Sequence, residues 1–226
     1  MKKNAILQFS IFTLGISSAF AQEATENAKE SVDLGLSVKW ATCNVGANKP
    51  TEKGSYFAWG ETEEKKDYTW KTYSLCDEGE DYHQNKYVTL NFYGKVDNRS
   101  VLEPEDDAAT AKWGAEWRTP TKEEFNELQE KCTWTWTPNY DSTGVNGYVI
   151  TSTIEGFTDK SIFLPAAGTR NKNYVDDQDD FCIYWTSTLG TWSNSIAIGL
   201  GFSSESYDQY DYDRFYGNCI RPVQKR

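Results

Sequence analysis

Trp113-Gly114-Ala115-Glu116-Trp117-Arg118-Thr119-Pro120-Thr121-Lys122-Glu123-Glu124-Phe125-Asn126-Glu127-Leu128-Gln129-Glu130-Lys131-Cys132-Thr133-Trp134-Thr135-Trp136 carries the densest set of mutually consistent local signals in this chain. Thr121 reads as a helix N-cap. Its hydroxyl accepts a hydrogen bond from the Glu124 N–H while the Glu124 carboxylate reaches back to the N–H of Thr121, the reciprocal capping box. Pro120 stops the helix from starting earlier. Glu123 and Glu124 lie at the positive end of the helix dipole and Lys131 near its negative end. Phe125, Leu128 and Cys132 fall at i, i+3 and i+7, so one face is apolar and must lie on something.

Outward from this helix, residues 104–113 read as a first short helix, opened by Pro104, with Glu105, Asp106 and Asp107 at its positive end and Gly114 as its stop. The Asp pair reads as capping rather than catalysis. Strands are expected at 147–153, 161–164, 182–187, 196–202 and 218–223, separated by Gly, Pro, Asn and Asp. Towards the N-terminus, residues 32–40 alternate apolar and polar as a half-buried strand does, and 55–59 read as a second short strand. Residues 60–101 show little periodicity and read as loop, with Trp70, Tyr73 and Tyr87 tucked against the body. One strand, two short helices and then a sheet make the fold class α+β.

The chain has 226 residues, and nothing in it marks a boundary between two domains, so a single domain over 32–226 is expected. Residues 1–21 read as a signal peptide: Lys2 and Lys3 are a basic start, residues 5–20 are mostly apolar, and Ala19-Phe20-Ala21 has the small-x-small pattern of a cleavage site. Residues 22–31 read as a flexible lead-in. The apolar run is too short and too interrupted to span a bilayer, and no other segment approaches membrane length, so no membrane insertion is expected. The formal charge is -11, and losing Lys2 and Lys3 with the leader would take it to -13. That is the wrong sign for nucleic acid or an anionic membrane surface. Aromatic residues make up 15% of the chain, which points to a large irregular core, an aromatic binding surface, or both.

None of the cysteines, Cys43, Cys76, Cys132, Cys182 and Cys219, has the spacing of a metal or redox site. In a secreted chain they read first as disulfides, Cys43 with Cys132 and Cys182 with Cys219, with Cys76 left over. Each such bridge would contribute on the order of 3 to 5 kcal/mol if unstrained.

Six segments taken in order, 33–47, 56–62, 106–109, 117–121, 162–168 and 220–223, are distinctive. They read Asp33-Leu34-Gly35-Leu36-Ser37-Val38-Lys39-Trp40-Ala41-Thr42-Cys43-Asn44-Val45-Gly46-Ala47, Tyr56-Phe57-Ala58-Trp59-Gly60-Glu61-Thr62, Asp106-Asp107-Ala108-Ala109, Trp117-Arg118-Thr119-Pro120-Thr121, Ile162-Phe163-Leu164-Pro165-Ala166-Ala167-Gly168 and Ile220-Arg221-Pro222-Val223. Together they resemble the Fibrobacter succinogenes major paralogous domain, a family of secreted and surface proteins of Bacteroidetes. The resemblance runs across nearly all of 32–226. It implies a C-type-lectin-like fold, shared with the formylglycine-generating enzymes and with the hypervariable ligand-binding proteins of diversity-generating retroelements, in which the first and last strands pair. Family members often carry a second cysteine where this chain has Val88, which would leave Cys76 without a partner.

His83 is the only histidine. A Ser-His-Asp triad, a Cys-His pair or a multi-histidine zinc site would all need it, and it lies in a polar loop, where an ordinary exposed residue is expected. The cysteine pair that binds copper in the formylglycine-generating enzymes has no counterpart here, so fold kinship does not carry that activity over. Asp176, Asp177, Asp179 and Asp180 are the candidate calcium ligands, against the simpler reading of a solvated acidic loop. The sugar-binding motifs of calcium-dependent lectins are absent. Residues 185–218 are the expected binding surface, with Trp185, Trp192, Asn194, Tyr207, Tyr210, Tyr212, Arg214 and Tyr216 as ligand-binding residues. In a strand, Tyr210 and Tyr212 would share one face, offering rigid contact area at low entropy cost. The competing reading is that these tyrosines cap a small core. The function expected is a secreted, non-catalytic module that binds a glycan or a surface protein. The rivals are a hydrolase using two carboxylates and a structural subunit of a surface assembly linked through Cys76.

Overall fold

The computed structural model describes residues 29–226. The expected leader, and the part of the lead-in before residue 29, lie outside the described residues. Within them, small antiparallel sheets combine with two α-helices, an α+β fold. Among the described residues no helix is long and apolar enough to cross a membrane.

Strand β1 (Ser31–Val32), β2 (Val38–Ala41), β12 (Val223–Lys225) and β3 (Trp117–Arg118) form one sheet in the spatial order β1-β2-β12-β3. The two ends of the domain therefore pair, with Val223 opposite Trp40. The expected strand over 32–40 is broken in the middle. Gly35 has φ +77°, its N–H bonds to Asp33 Oδ1 at 2.9 Å, and a Cβ there would meet the Phe157 ring at 2.7 Å. The chain turns at the one residue that tolerates both.

Residues 218–223 are also less regular than expected: Asn218 and Cys219 make single bridges, and the ladder starts only at Val223. Residues 55–59 form no strand. Phe57 makes one bridge to Asn218, and the flanking backbone bonds instead to Val45 and Arg214.

The capping box forms as read. Helix α2 (Lys122–Lys131) starts at Thr121, whose Oγ1 accepts from Glu124 N while Glu124 Oε2 accepts from Thr121 N at 2.8 Å. Arg118 grips both oxygens of the same carboxylate. Phe125, Leu128 and Cys132 are all buried. The first helix begins later than Pro104. A short 3-10 turn at Pro104–Asp106 precedes Asp107, which caps α1 (Ala108–Trp113). Asp107 is buried and accepts from Ala109 N, Thr110 N, Thr119 N and Thr119 Oγ1. Its role is structural, as the capping reading holds.

Two three-stranded sheets complete the body. One is β4 (Cys132–Tyr140), β5 (Val145–Ser152) and β6 (Ser161–Pro165); the other is β9 (Phe181–Leu189), β10 (Ile196–Ser203) and β11 (Tyr207–Asp213). A small hairpin, β7 (Thr169–Asn171) with β8 (Tyr174–Asp176), lies between them in sequence. Trp134, Trp136, Tyr148, Phe202 and Tyr207 interlock where the two sheets meet, with Trp134 stacked on Tyr207 at 4.4 Å.

The disulfides are a correction. All five cysteines are buried and free. Cys43 follows β2 beside Glu30, whereas Cys132 opens β4 opposite Ser152 in a different sheet. Cys182 and Cys219 are closer in the topology, but Cys219 lies opposite Tyr184, one pleat along from Cys182, and the two thiols point to different carbonyls, Pro165 O and Lys53 O. Burial pushes the Cys132 thiol up to about 11 and that of Cys219 to about 12.

Arg221 ties the sheets together. Fully buried, it donates to Asn44 Oδ1 at 2.9 Å, Ala41 O at 3.1 Å and Phe163 O at 3.0 Å. Replacing it by Met removes all three bonds and leaves the acceptors dry, so Arg221→Met should cost more than about 3 kcal/mol by urea unfolding. Thr121→Ala, which removes only a cap, should cost about 1 kcal/mol. Without reductant, a thiol reagent should label the native protein slowly and all five cysteines once it is unfolded.

Candidate functional site

The irregular stretch before α1 is ordered by aromatic side chains whose polar tips find backbone carbonyls or a carboxylate. Tyr68 Oη donates to Tyr56 O at 2.6 Å and Tyr73 Oη to Trp59 O at 2.6 Å, while Tyr87 Oη donates to the Asp106 carboxylate at 2.5 Å. Tyr73 and Tyr87 are buried, as the sequence suggests, and Trp70 is half-buried. This stretch delivers residues 82–94 to the side of the β10–β11 hairpin.

Asn194 fixes the contact. Its Oδ1 accepts from Thr89 N at 2.9 Å and Leu90 N at 2.8 Å, and its Nδ2 donates to Thr89 Oγ1 at 2.9 Å. The loop before β10 is thereby joined to the 3-10 turn Asn91–Tyr93. The two joined segments carry exposed apolar side chains, Trp192 (68% exposed) on one and Phe92 (73%) and Leu90 (38%) on the other, with Tyr82 6.5 Å from Phe92; together they are called the ledge below. Trp192 is exposed yet pinned, because its indole N–H donates to Asp211 Oδ2 at 2.7 Å.

Around the ledge the charge is acidic. Asp211 and Asp213 come from β11, and Glu78 pairs with His83 at 3.0 Å. Burial raises Asp213 above the ordinary carboxylate range, and the nearby Asp81 adds to the shift. His83 is an ordinary loop residue, stacked edge-on to Tyr82.

Of the eight residues expected to bind ligand, three are corrections. Trp185 is in the core with its indole N–H on Phe57 O at 2.8 Å. Asn194 is buried as a loop tie. Arg214 is fully buried, donating to Tyr73 Oη, Asn194 O and Lys86 O, with its guanidinium over Trp59 at 4.9 Å. None of the three faces solvent. Tyr207 is half-buried in the aromatic junction between sheets, and Tyr216 stacks on Phe215 at 4.5 Å.

Tyr210 and Tyr212 do share a face of β11, 6.4 Å apart, but with different fates. Tyr212 lies across β10, where a Cβ on Gly201 would strike its hydroxyl at 2.2 Å and one on Gly199 would approach its ring at 3.1 Å. Tyr210 remains half exposed. Trp192 and Tyr210 are thus the accessible members of the expected set. Phe92 and Leu90 were missed; they come from the stretch without periodicity, and only the structure shows that Asn194 ties their segment to the loop carrying Trp192.

The candidate calcium ligands form no converging acidic group among the described residues. Asp176, Asp177, Asp179 and Asp180 are strung along the β8–β9 turn, with Asp179 paired to Lys53 at 3.3 Å. The acidic group that does converge among the described residues is Glu103, Glu105 and Asp106. Lys86 fills its centre, at 2.9, 3.3 and 2.5 Å from the three carboxylates. Lys86 and Arg99 hold Glu103 down at about 2. An ammonium already supplies the positive charge there.

No family model, no curated protein and no solved structure matches this chain.

Because Asp213 keeps its proton more readily folded than unfolded, stability should fall as pH rises from the ordinary carboxylate value, about 3.9, through its raised folded value. Asp213→Asn removes that loss. The variant should melt higher than the parent at pH 7, and the gain should vanish towards pH 3; a gain that is the same at both pH values would contradict this origin.

Proposed function

We propose that the protein is a secreted, non-catalytic binding module that holds a glycan on the ledge of Trp192, Phe92 and Leu90. The observation that carries this reading is the pinned Trp192. A large aromatic face left in water, with its one polar atom tied down by Asp211, is a preorganised surface for stacking. A pyranose ring offers the matching apolar face, and neighbouring carboxylates accept hydrogen bonds from its hydroxyls. The acidic surroundings favour neutral or amino sugars over anionic ones.

We further infer membership of the Fibrobacter succinogenes major paralogous domain family and a C-type-lectin-like fold. The paired chain ends, the two short helices and the long ordered stretch before α1 support it, and the leader-like N-terminus supports secretion. The reading assigns no role to a metal ion.

A glycan array probed with the protein, with and without calcium, tests the reading. Trp192→Ala should weaken the strongest signals roughly tenfold or more without changing the melting temperature, and calcium should make no difference. An array without binding, or binding indifferent to Trp192, contradicts it. Release of reducing sugar that Asp213→Asn abolishes would favour the hydrolase rival.

A further inference from the structure

A cleft of about 470 Å³ opens between the turn after β2 and the end of α1. It lies in the range of small-molecule sites, about 300 to 1,000 Å³. Phe57, buried in the core, closes its bottom and Trp113 forms a side wall. Trp113 is steadied edge-on by Trp117 at 5.1 Å. The polar lining carries both signs of charge: Lys29 and Lys112 against Glu63 and Glu64.

These charges are not equivalent. Lys112 and Glu63 neutralise each other at 2.6 Å. Glu64 is held in place by Ser55 Oγ on Oε2 at 2.8 Å and by Tyr56 N on Oε1 at 3.2 Å, with no cation paired to it among the described residues. Lys29 likewise has no carboxylate partner among them. The cleft therefore offers one oriented carboxylate, an ammonium with no carboxylate partner among the described residues, and an apolar floor. Glu64 also borders a neighbouring cleft of about 390 Å³ whose wall includes Glu61, Glu105 and Asp106. There Lys65 pairs with Glu61 at 2.7 Å and Lys86 holds Glu105 and Asp106, so Glu64 is the carboxylate that no cation neutralises among the described residues.

We propose that this cleft binds an apolar α-amino acid as its zwitterion. The ligand's ammonium group sits on the oriented carboxylate of Glu64. Its carboxylate faces Lys29, and its side chain lies on Phe57 against Trp113. Two charges of opposite sign on one carbon, beside an apolar group, match what the lining presents, whereas a neutral sugar would leave Glu64 and Lys29 unpaired. The site is separate from the Trp192 ledge and does not depend on it.

Isothermal titration with L-phenylalanine, L-leucine, N-acetyl-L-phenylalanine and L-phenylalanine amide tests the assignment. Both free amino acids should bind, and blocking either charge should weaken binding at least tenfold. Glu64→Gln and Trp113→Ala should each weaken L-phenylalanine to a similar degree while thermal unfolding stays cooperative. Trp192→Ala should leave the titration unchanged, so failure here and failure of the glycan reading are distinguishable. The proposal is overturned if neither free amino acid binds, if a blocked form binds as well as L-phenylalanine, or if Glu64→Gln has no effect.

Discussion

The buried guanidinium of Arg221 is the constraint on which the arrangement of sheets depends. A charge this deep is costly unless every donor is met. Among the described residues no carboxylate meets it. Neutral oxygens do so instead: the Asn44 side chain and the carbonyls of Ala41 and Phe163. Those partners come from the exit of β2 and from β6, so satisfying one side chain fixes the C-terminal segment, the N-terminal strand and the central sheet relative to one another. Desolvation lowers the pKa of Arg221, the signature of a charge held by dipoles rather than by an opposite charge.

Arg214 repeats the solution where the loop before β10 meets the stretch before α1. Its donors reach the Tyr73 hydroxyl and the carbonyls of Asn194 and Lys86, and its plane lies over Trp59, Tyr73 and Tyr87. Aromatic faces supply negative potential where no acid is present. Because Asn194 and Lys86 belong to the two loops that make the ledge, the same buried cation that looks from sequence like a ligand contact is what holds those loops together. The ledge is exposed at its surface and anchored from below.

Much of the frame was legible because it rests on local chemistry. Thr121 and Glu124 declare a helix start by spacing alone, and Phe125, Leu128 and Cys132 declare its buried face. Strand β4 was not read, although Thr133-Trp134-Thr135-Trp136-Thr137 alternates as a strand should; the helix signals beside it absorbed the segment. The cysteines misled because pairing depends on facing positions in a sheet, and Cys219 lies opposite Tyr184 instead of Cys182. Trp185, Asn194 and Arg214 have the side chains of binding residues, and only long-range packing shows that each is spent inside. Phe92 and Leu90 give no periodic signal at all; their exposure follows from Asn194, more than a hundred positions away in the chain.

The central claim is that ligand recognition is seated on Trp192 while the other tryptophans are structural or belong to the second cleft. The nine indole N–H signals of a ¹⁵N-labelled sample, assigned by single substitutions and followed during titration with the strongest glycan from the array, test it most directly. The account expects the Trp192 signal to shift first and furthest, with those of Trp59, Trp185 and Trp113 unmoved. A titration in which Trp192 stays still while Trp113 or a buried indole moves would contradict it.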